Sequence, residues 1–293
     1  MACARECGAT VLRGVEHVVV SGGSAPNVKY TFEGESQTTE CRLIVGADGR
    51  SSSVRRQIGL KLTEDPIDHL IAGLLVEGAD DWPEDLQSLG RDGDIMYAIF
   101  PQGGGKIRLY ADYDLSERNR FGGEKGAQKF LEVFNMPCVP HSELIVKARP
   151  IGICRSNPSL DAWIDNPWVD GVVLMGDAAG YNDPIIGQDL SITFRDARML
   201  AEILVADPDW SPAVLQPYGT ERSERLRRLR LAGHFATTIN ARFGPEVDRI
   251  RGRAMGRMAA DPSIGGIVDA VFIGPENVDA RYFEPDFMQA TFG

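Results

Sequence analysis

Two short segments of the chain place a carboxylate among small residues directly after an apolar run. In the first, residues 43–55 (LIVGADGRSSSVR), Asp48 is followed by Gly49 and Arg50. Glycine allows the backbone to turn with positive φ and to approach a ligand, while a carboxylate accepts hydrogen bonds from hydroxyls or amides. The serines that follow predict a helix whose N-terminal N–H groups can bind an anion. An ordinary strand–turn–helix with a capping serine is the alternative.

The second segment, residues 172–201, repeats this arrangement and adds a long helix. Its apolar run VVLM ends in a turn of small residues around one carboxylate: Gly176, Asp177 and Ala178. A ligand can lie against such a backbone and donate its hydroxyl hydrogens to the single acceptor. Pro184 stiffens the loop that follows. The segment therefore predicts a ligand site beyond the carboxyl end of a strand.

Apolar residues recur at helical spacing from residue 187 to about residue 206, which predicts a helix with one buried face. The first residues of that helix are Gly187, Gln188 and Asp189. The positive end of the helix dipole lies there, so a ring that gains negative charge on reduction would be stabilised. The carboxylate of Asp189 would oppose that charge by about 1–4 kcal/mol if it lay close to the ring. The alternative is that Asp189 points away and caps the helix.

Strands and helices must position these turns. Periodicity predicts strands at residues 11–20, 27–34, 41–46, 68–78, 94–102, 105–115, 142–155 and 170–175, and helices near the N-terminus, at 51–59, at 123–136 and at 187–206. Short turns between the middle strands favour an antiparallel sheet. One ligand-binding domain interrupted by a sheet domain and followed by helices explains this order simply. The predicted boundaries are 1–65, 66–155, 156–206 and 207–293.

The composition excludes several classes of function. The 293 residues carry a net charge of −11, which argues against nucleic-acid and anionic-membrane binding. No apolar run reaches the ~20 residues of a membrane span, and the N-terminus lacks the features of a signal peptide. We therefore expect a cytoplasmic protein with a small-molecule substrate. The oligomeric state is left open.

Cysteine and histidine give little support for a metal site, and we predict none. The five cysteines are irregularly spaced, which favours small buried side chains in a reducing compartment. Cys3 and Cys7, at i and i+4, come nearest to a metal pair. None of the four histidines has the spacing of a metal motif: His17, His69, His141 and His234.

Two further groups have both a functional and a structural interpretation. Five arginines between residues 222 and 230 could bind phosphate, although a solvated helix face paired with Glu221 and Glu224 is favoured. Aromatic residues on the proposed sheet could line a flat pocket, although core packing is favoured for most of them. They are Tyr97, Phe100, Tyr110 and Tyr113.

Together the two segments resemble a known pair of motifs. LIVGADGRSSSVR resembles the DG segment, and GDAAGYNDPIIGQ the GD segment, of FAD-dependent aromatic hydroxylases, the group typified by p-hydroxybenzoate hydroxylase. The resemblance covers residues 1–205. It implies an α/β (α+β) fold, with a three-layer FAD-binding domain that lacks its first βαβ unit. An antiparallel-sheet substrate domain would interrupt that domain, and a helical C-terminal region would follow it.

The resemblance also implies roles for individual residues. Asp177 would bind the ribityl chain of FAD, and Asp48 and Gly49, beside Arg50, would lie near the pyrophosphate and affect the use of NAD(P)H. The residues expected to flank the isoalloxazine are Pro184, Gly187, Gln188 and Asp189. The chemistry belongs to the cofactor, whose C4a-hydroperoxide delivers one oxygen atom to the substrate. No catalytic side chain is therefore predicted.

Three positions and one whole segment depart from the family pattern. Gly180 stands in place of the usual histidine, Asp189 in place of glycine, and Ser191 in place of asparagine. No GxGxxG loop for the ADP half of FAD occurs in the 293 residues, which a misplaced start codon, a truncated gene or a real fragment would each explain.

Three hypotheses about function follow. The first is NAD(P)H- and FAD-dependent hydroxylation of an aromatic or polycyclic molecule. The second is an inactive remnant, or a subunit that needs a second chain for its nucleotide half. The third is a related flavin enzyme, such as a halogenase or a prenyl reductase.

Overall fold

A computed structural model of the chain describes residues 2–293. Its strands are β1 Glu16–Ser21, β2 Asn27–Phe32, β3 Glu35–Glu40, β4 Ile44–Gly46, β5 Thr63–Glu64, β6 His69–Glu77, β7 Ser88–Asp92, β8 Ile95–Gly103, β9 Lys106–Asp114, β10 Arg149–Ser159, β11 Ala162–Trp163, β12 Trp168–Val169, β13 Val172–Leu174 and β14 Gly180–Tyr181. Its α-helices are α1 Ala2–Glu6, α2 Ser53–Gln57, α3 Gly126–Glu132, α4 Ser142–Lys147, α5 Asp189–Ala206, α6 Pro212–Asn240, α7 Pro245–Ala260, α8 Asp269–Ile273 and α9 Pro285–Phe292.

The chain forms two compact units. The first contains the residues up to 64 together with 162–181 and 188–226, and the second contains 65–161, 182–187 and 227–293. The mixed α/β class predicted from the sequence is confirmed. The division at residues 65, 155 and 206 stays a prediction. None of the helices in residues 2–293 combines the length and the apolar character that crossing a bilayer requires.

The first unit contains a parallel strand pair. β4 and β13 run parallel with Gly46 opposite Leu174, and β12 continues this sheet as an antiparallel neighbour of β13. The residues of β13 have no exposed surface, as expected of a parallel strand that is covered on both faces. Two further sheets complete the unit, in the orders β1–β2–β3 and β14–β11–β5.

The second unit is built around an antiparallel sheet in the order β10–β6–β9–β8–β7. Buried and half-buried residues alternate along β6, because successive side chains of a strand point to opposite faces. Phe130 of α3 and the nearby Phe134 pack into the core of this sheet, and burying such a side chain stabilises the fold by about 1.5–3 kcal/mol. A second core, with Phe235, Tyr282 and Phe283 among its buried residues, lies among the C-terminal helices.

The clearest differences from the sequence prediction are two strands and one helix. β3 (ESQTTE) and β7 (SLGRD) lack apolar alternation and form because β2 and β8 supply their hydrogen-bond partners. The strand predicted over 142–155 was wrong in its first part, which is α4 with Ile145 buried in the sheet core. The predicted helices at 51–59, 123–136 and 187–206 are confirmed as α2, α3 and α5.

The cysteines are less buried than the sequence indicated. All five are free thiols, and Cys3, Cys7 and Cys138 are exposed, so the expectation of buried side chains was wrong for these three. Cys3 lies in α1, which has no buried residue and therefore no core to receive it. Among the four aromatic residues of the sheet, Tyr97 and Tyr113 are buried in the core, which confirms core packing for these two.

Candidate functional site

The pairing of β4 with β13 places the two acidic turns side by side. The amide of Met175 donates to the carbonyl of Gly46 at 3.0 Å, so the two strands end at the same level of the sheet. Asp48 and Asp177 follow these strand ends along the chain. The carboxyl ends of parallel strands form the usual ligand crevice of an open α/β sheet. This part of the first unit is therefore the candidate site, which we call the strand-end site.

Asp48 caps the helix that follows it. Its carboxylate accepts hydrogen bonds from the hydroxyl of Ser52 and from the amides of Ser53 (2.7 Å) and Val54 (3.1 Å). Burial alone would raise the pKa of Asp48, but these hydrogen bonds lower it below its usual value. The N-terminal amides of this helix, which the sequence indicated as able to bind an anion, therefore donate to Asp48.

Arg50 bridges the two turns and reaches the start of α5. Its Nε lies 3.4 Å from Oδ2 of Asp177, and its Nη2 lies 3.1 Å from Oδ2 of Asp189. The guanidinium carbon also lies 4.5 Å from the ring centroid of Tyr181, within the range of a cation–π contact. The negative charge of Asp189 is therefore matched by Arg50. Gln188, the N-cap residue of α5, makes no side-chain capping hydrogen bond.

Two buried arginines bond to the carbonyl groups of the turn after β13. Arg55 donates to the carbonyl of Ala178 at 2.8 Å and to that of Arg50 at 2.7 Å. Arg222, only 1% exposed, donates to three further carbonyls of the same turn. These are the carbonyls of Gly176 (3.1 Å), Ala179 (3.1 Å) and Gly180 (3.0 Å).

Asp196 of α5 completes this arrangement. Its Oδ2 accepts hydrogen bonds from Nε of Arg222 at 2.9 Å and from the amide of Gly176 at 2.8 Å. The prediction of a solvated arginine face was therefore wrong for Arg222, which is buried with a carboxylate on another helix. The predicted pairing with Glu221 is confirmed for Arg225, whose Nε lies 2.9 Å from that carboxylate, although the Arg225 side chain is only 14% exposed. No local spacing links Asp196 to Arg222, so the sequence alone could not have paired them.

The glycines of the turn are required by lack of space. A Cβ at Gly180, where φ is 124°, would lie 2.4 Å from the carbonyl oxygen of Ala162. A Cβ at Gly176, where φ is 55°, would lie 2.9 Å from the hydroxyl of Thr193. The departure from the family pattern at position 180 thus has a structural cause, since a histidine could not be accommodated without moving β11.

Pro184 and Gly187 belong to the second unit. Pro184 opens a single 3₁₀ turn, Pro184–Ile186, whose cap Asp183 accepts a hydrogen bond from the amide of Ile185 at 2.9 Å. Gly187 ends that turn with φ 62°, and an added Cβ at this residue would meet no atom within 4 Å. The predicted role of both residues beside a flavin ring stays a prediction.

The strand-end site fits the polar chain of a flavin nucleotide. Asp177 offers a half-exposed acceptor for hydroxyl groups, and Arg50 offers a cation beside it. At Gly49, with φ 81°, an added Cβ would meet no atom within 4 Å, so the backbone is open to a ligand. Acceptor, cation and open backbone are the groups that a ribityl phosphate requires.

The second unit contains a polar cavity of about 120 Å³ that the sequence did not reveal. We call it the acidic cavity. Its polar lining is Asp65, Asp68, Ser159, Asp161, Asp183, His234, Thr237 and Arg242. These residues lie far apart in the chain, so no motif of short spacing could have indicated the cavity.

A buried histidine contacts two of the cavity carboxylates. Nδ1 of His69 lies 2.9 Å from Asp68, and its Nε2 lies 3.5 Å from Asp183 and 3.4 Å from Asp112. Burial alone would lower the pKa of His69, but the three carboxylates raise it to about 11, so the ring is an imidazolium at neutral pH. Burial raises the pKa of Asp112.

Comparisons with known proteins find similar sequences. A family profile described as "FAD binding domain" matches residues 1–230. A digeranylgeranylglycerophospholipid reductase 2 of Methanothermobacter thermautotrophicus is 27% identical over 206 residues, which are 68% of this chain and 50% of that protein. A kynurenine 3-monooxygenase of Salinispora tropica is 29% identical over 212 residues, which are 64% of this chain and 44% of that protein.

Solved structures share the fold. PyrE3, described as a Diels-Alderase of pyrroindomycin biosynthesis, matches with a TM-score of 0.73 at 22% identity, over 94% of this chain and 58% of that one. CmlS, a flavin-dependent halogenase, matches with a TM-score of 0.69 at 18% identity, over 99% of this chain and 57% of that one. The chain thus spans about half the length of the relatives that it matches.

Proposed function

The chain belongs to the FAD-binding domain family that includes FAD-dependent monooxygenases, and from this membership we propose that it serves the NAD(P)H-dependent hydroxylation of an aromatic or polycyclic small molecule. The observation that carries the proposal is the pairing of β4 with β13, which brings Asp177 within reach of Arg50. An acceptor and a cation at adjacent strand ends suit the ribityl and phosphate parts of one ligand.

In this proposal the chain binds and orients the cofactor. Asp177 would accept hydrogen bonds from ribityl hydroxyls. Arg50 would interact with the phosphate and remain paired with Asp189. The residues proposed to flank the flavin ring are Pro184, Gly187 and Gln188, as the family resemblance implies. Bound FAD supplies the redox and oxygen chemistry, so the chain itself needs no nucleophile.

The test is flavin binding by the purified chain. FAD should be retained, with a visible flavin spectrum and quenched or shifted fluorescence. Asp177→Asn should weaken FAD binding by about ten- to a hundredfold, because losing one charged hydrogen-bond acceptor costs about 1.5–3 kcal/mol. The matched control is Asp170→Asn, which removes the same charge from an exposed side chain in the same unit. Equal affinity of the two variants would refute the assigned role of Asp177.

Oxygen uptake then separates the reaction classes. With FAD bound and an aromatic or polycyclic substrate present, NAD(P)H oxidation should consume oxygen in step with product. Several relatives are reductases by name, and a reductase would oxidise its reductant in the absence of oxygen. Reductant consumption that persists without oxygen, with product formed, would contradict the monooxygenase proposal.

A second candidate is a flavin half-site that requires further polypeptide for the adenine nucleotide. One apolar surface of the first unit favours it. β4 is the edge strand of its sheet, and Val45 is 44% exposed and Val19 50% exposed. An open groove with a volume of about 570 Å³ lies beside them. It is lined largely by apolar residues, Leu12, Val18 and Val28 among them. An unpaired strand edge next to such a surface is suited to receive another strand.

Comparing flavins of different length distinguishes these two candidates. If the 293 residues bind the whole cofactor, FAD should bind more tightly than riboflavin, because the adenosine diphosphate adds contacts. If they form only the half-site, FAD and riboflavin should bind with similar, weak affinity. Absence of binding by both flavins would exclude both candidates for this chain alone.

A further inference from the structure

The acidic cavity contains three ligand atoms grouped as a metal ion requires. Nε2 of His234 lies 3.0 Å from Oδ2 of Asp65 and 3.8 Å from Oδ2 of Asp161, and the three groups lie within 4.8 Å of one another. Ligands at about 2.1 Å from an octahedral ion are separated by about 3.0 Å when adjacent and about 4.2 Å when opposite. Small rotations of these side chains therefore suffice to surround one ion.

Asp161 is held in a fixed orientation for this role. It is only 3% exposed, and its Oδ1 accepts hydrogen bonds from the side-chain amide of Asn182 (2.7 Å) and the backbone amide of Asp183 (3.1 Å). Its Oδ2 is left facing the imidazole of His234 at a distance beyond a hydrogen bond. Partners that fix the far oxygen of a carboxylate are the usual support of a metal ligand.

Ser159 gives an independent indication that a ligand belongs in the cavity. Its side chain is 1% exposed and lines the cavity, yet its hydroxyl has no hydrogen-bond partner among residues 2–293. A buried hydroxyl without a partner costs about 1–3 kcal/mol, so such groups are normally satisfied by a water molecule or an ion. A cavity of about 120 Å³ has room for an ion with some of its water.

The distribution of charge favours a cation. Among the carboxylates that line the cavity, Asp68 is paired with Arg242, whose Nε lies 2.5 Å from it. Asp65 and Asp161 instead share one imidazole, that of His234. Two carboxylates and a neutral imidazole form a donor set that suits a divalent transition-metal ion.

We propose that the acidic cavity binds one divalent transition-metal ion, with Asp65, Asp161 and His234 as protein ligands and Ser159 as a further oxygen donor, directly or through water. His234 binds through the lone pair of Nε2 and keeps its proton on Nδ1. Asp65 precedes β6, Asp161 follows β10, and His234 lies on α6, so the ion links three distant segments of the second unit.

Manganese is the appropriate probe, because it prefers oxygen and nitrogen donors and is not drawn to the exposed thiols of Cys3 and Cys7. The full chain is freed of metal with a chelator and titrated with Mn²⁺ at neutral pH, and free Mn²⁺ is followed by electron paramagnetic resonance. One ion should bind per chain, and the melting temperature should rise with Mn²⁺ concentration.

Variants of the proposed ligands test whether Mn²⁺ binds at this site. Asp161→Asn keeps the hydrogen bonds to Asn182 and Asp183 and removes the charge, and His234→Gln removes the nitrogen donor. Each should weaken Mn²⁺ binding at least about tenfold and abolish the rise in melting temperature. The matched controls, Asp170→Asn and His17→Gln, change exposed residues and should bind Mn²⁺ as the unmodified chain does. Pulsed measurements should detect one nitrogen coupled to Mn²⁺, absent in His234→Gln.

Three results of the Mn²⁺ experiments would overturn the proposal: no Mn²⁺ bound by the unmodified chain, binding unchanged in both ligand variants, or binding with no coupled nitrogen. If Asp161→Asn does not fold, Asp65→Asn replaces it, because Asp65 is less buried. Binding of an organic ammonium ion, such as spermidine, in place of Mn²⁺ would also overturn it. Flavin is absent throughout, so the outcome is independent of the function proposed above.

Discussion

The carboxylates of the strand-end site and those of the acidic cavity differ in the partners that the fold provides for them. In the strand-end site each carboxylate meets donors that the fold supplies: Asp48 meets helix amides, Asp196 meets Arg222, and Asp189 meets Arg50. In the acidic cavity Asp65 and Asp161 share a single imidazole. The first region pairs these three carboxylates within the fold and leaves Asp177 and the backbone at Gly49 open to a ligand, while the second is lined by more carboxylates than cationic side chains. The paired carboxylates therefore hold the shape of the strand-end site, and the excess of carboxylates favours cation binding in the acidic cavity.

The largest effect should follow from breaking the buried pair of the strand-end site. Arg222→Met leaves three turn carbonyls without their donors and the buried charge of Asp196 without its cation, and the free energy of unfolding should fall by about 3–5 kcal/mol. Chemical denaturation measures this loss. The control is Arg198→Met, whose exposed pair with Glu202 at 3.9 Å is worth about 0–1 kcal/mol. Similar losses in both variants would remove the contrast between the two regions.

Gly180→Ala should give the next largest effect. The added Cβ meets the carbonyl oxygen of Ala162, and the residue must keep φ at 124°, so stability should fall by at least about 1–3 kcal/mol. The control variant should change the stability in the opposite direction. Gly256→Ala in α7 meets no atom within 4 Å and should stabilise the helix by up to about 1 kcal/mol. An unchanged melting temperature in Gly180→Ala would show that the turn can relax, contrary to a rigid strand-end site.

The pH dependence of stability should come from the second unit. The pKa of His69 is raised to about 11 from an unfolded value of about 6.5, so the folded chain keeps a proton that the unfolded chain has lost between these pH values. Stability from this group is complete below about pH 6.5 and falls by at most about 1.4 kcal/mol per pH unit as the pH rises toward 11.

Denaturation curves at several pH values within this window measure the slope. His69→Gln should flatten the slope, whatever it does to the stability at a single pH, while His17→Gln should leave it unchanged. The groups that face His69 are Asp68, Asp112 and Asp183, with Arg242 on the far side of Asp68. A slope that survives in His69→Gln would assign the pH dependence to another group.

The smallest effect on stability should follow from Arg50→Met. The guanidinium is more than one-third exposed, so losing its ion pairs should cost only about 0–1 kcal/mol. FAD affinity should fall nevertheless, because the variant lacks the cation of the strand-end site. A variant that loses stability without losing flavin affinity would make Arg50 a structural residue alone.

The sequence predicted the strand-end site better than the acidic cavity, and the reason is spacing. Each acidic turn lies within a dozen residues of its own strand and helix, so Asp48 and Asp177 could be placed from local pattern. Their assignment to one and the same cofactor came from the resemblance to a family. Asp65, Asp161 and His234 come together only because β6, β10 and α6 do, and no local pattern encodes that.

The errors in secondary structure have a similar origin. The polar strand β3 exists because β2 pairs with it along its whole length, which its own residues do not indicate. Residues 142–147 contain the apolar run LIV and were predicted as a strand, yet they form α4 because Ile145 reaches the sheet core from a helical turn. Tertiary partners decided both cases.

The carbonyl groups bonded to Arg55 and Arg222 have a kinetic consequence. Four of the five residues 176–180 in the turn after β13 have carbonyl groups that accept a hydrogen bond from a guanidinium group: Gly176, Ala178, Ala179 and Gly180. A loop already immobilised in this way loses little conformational entropy when a cofactor arrives. Association of flavin should then proceed in a single fast phase, limited by encounter, with no slow ordering step afterwards.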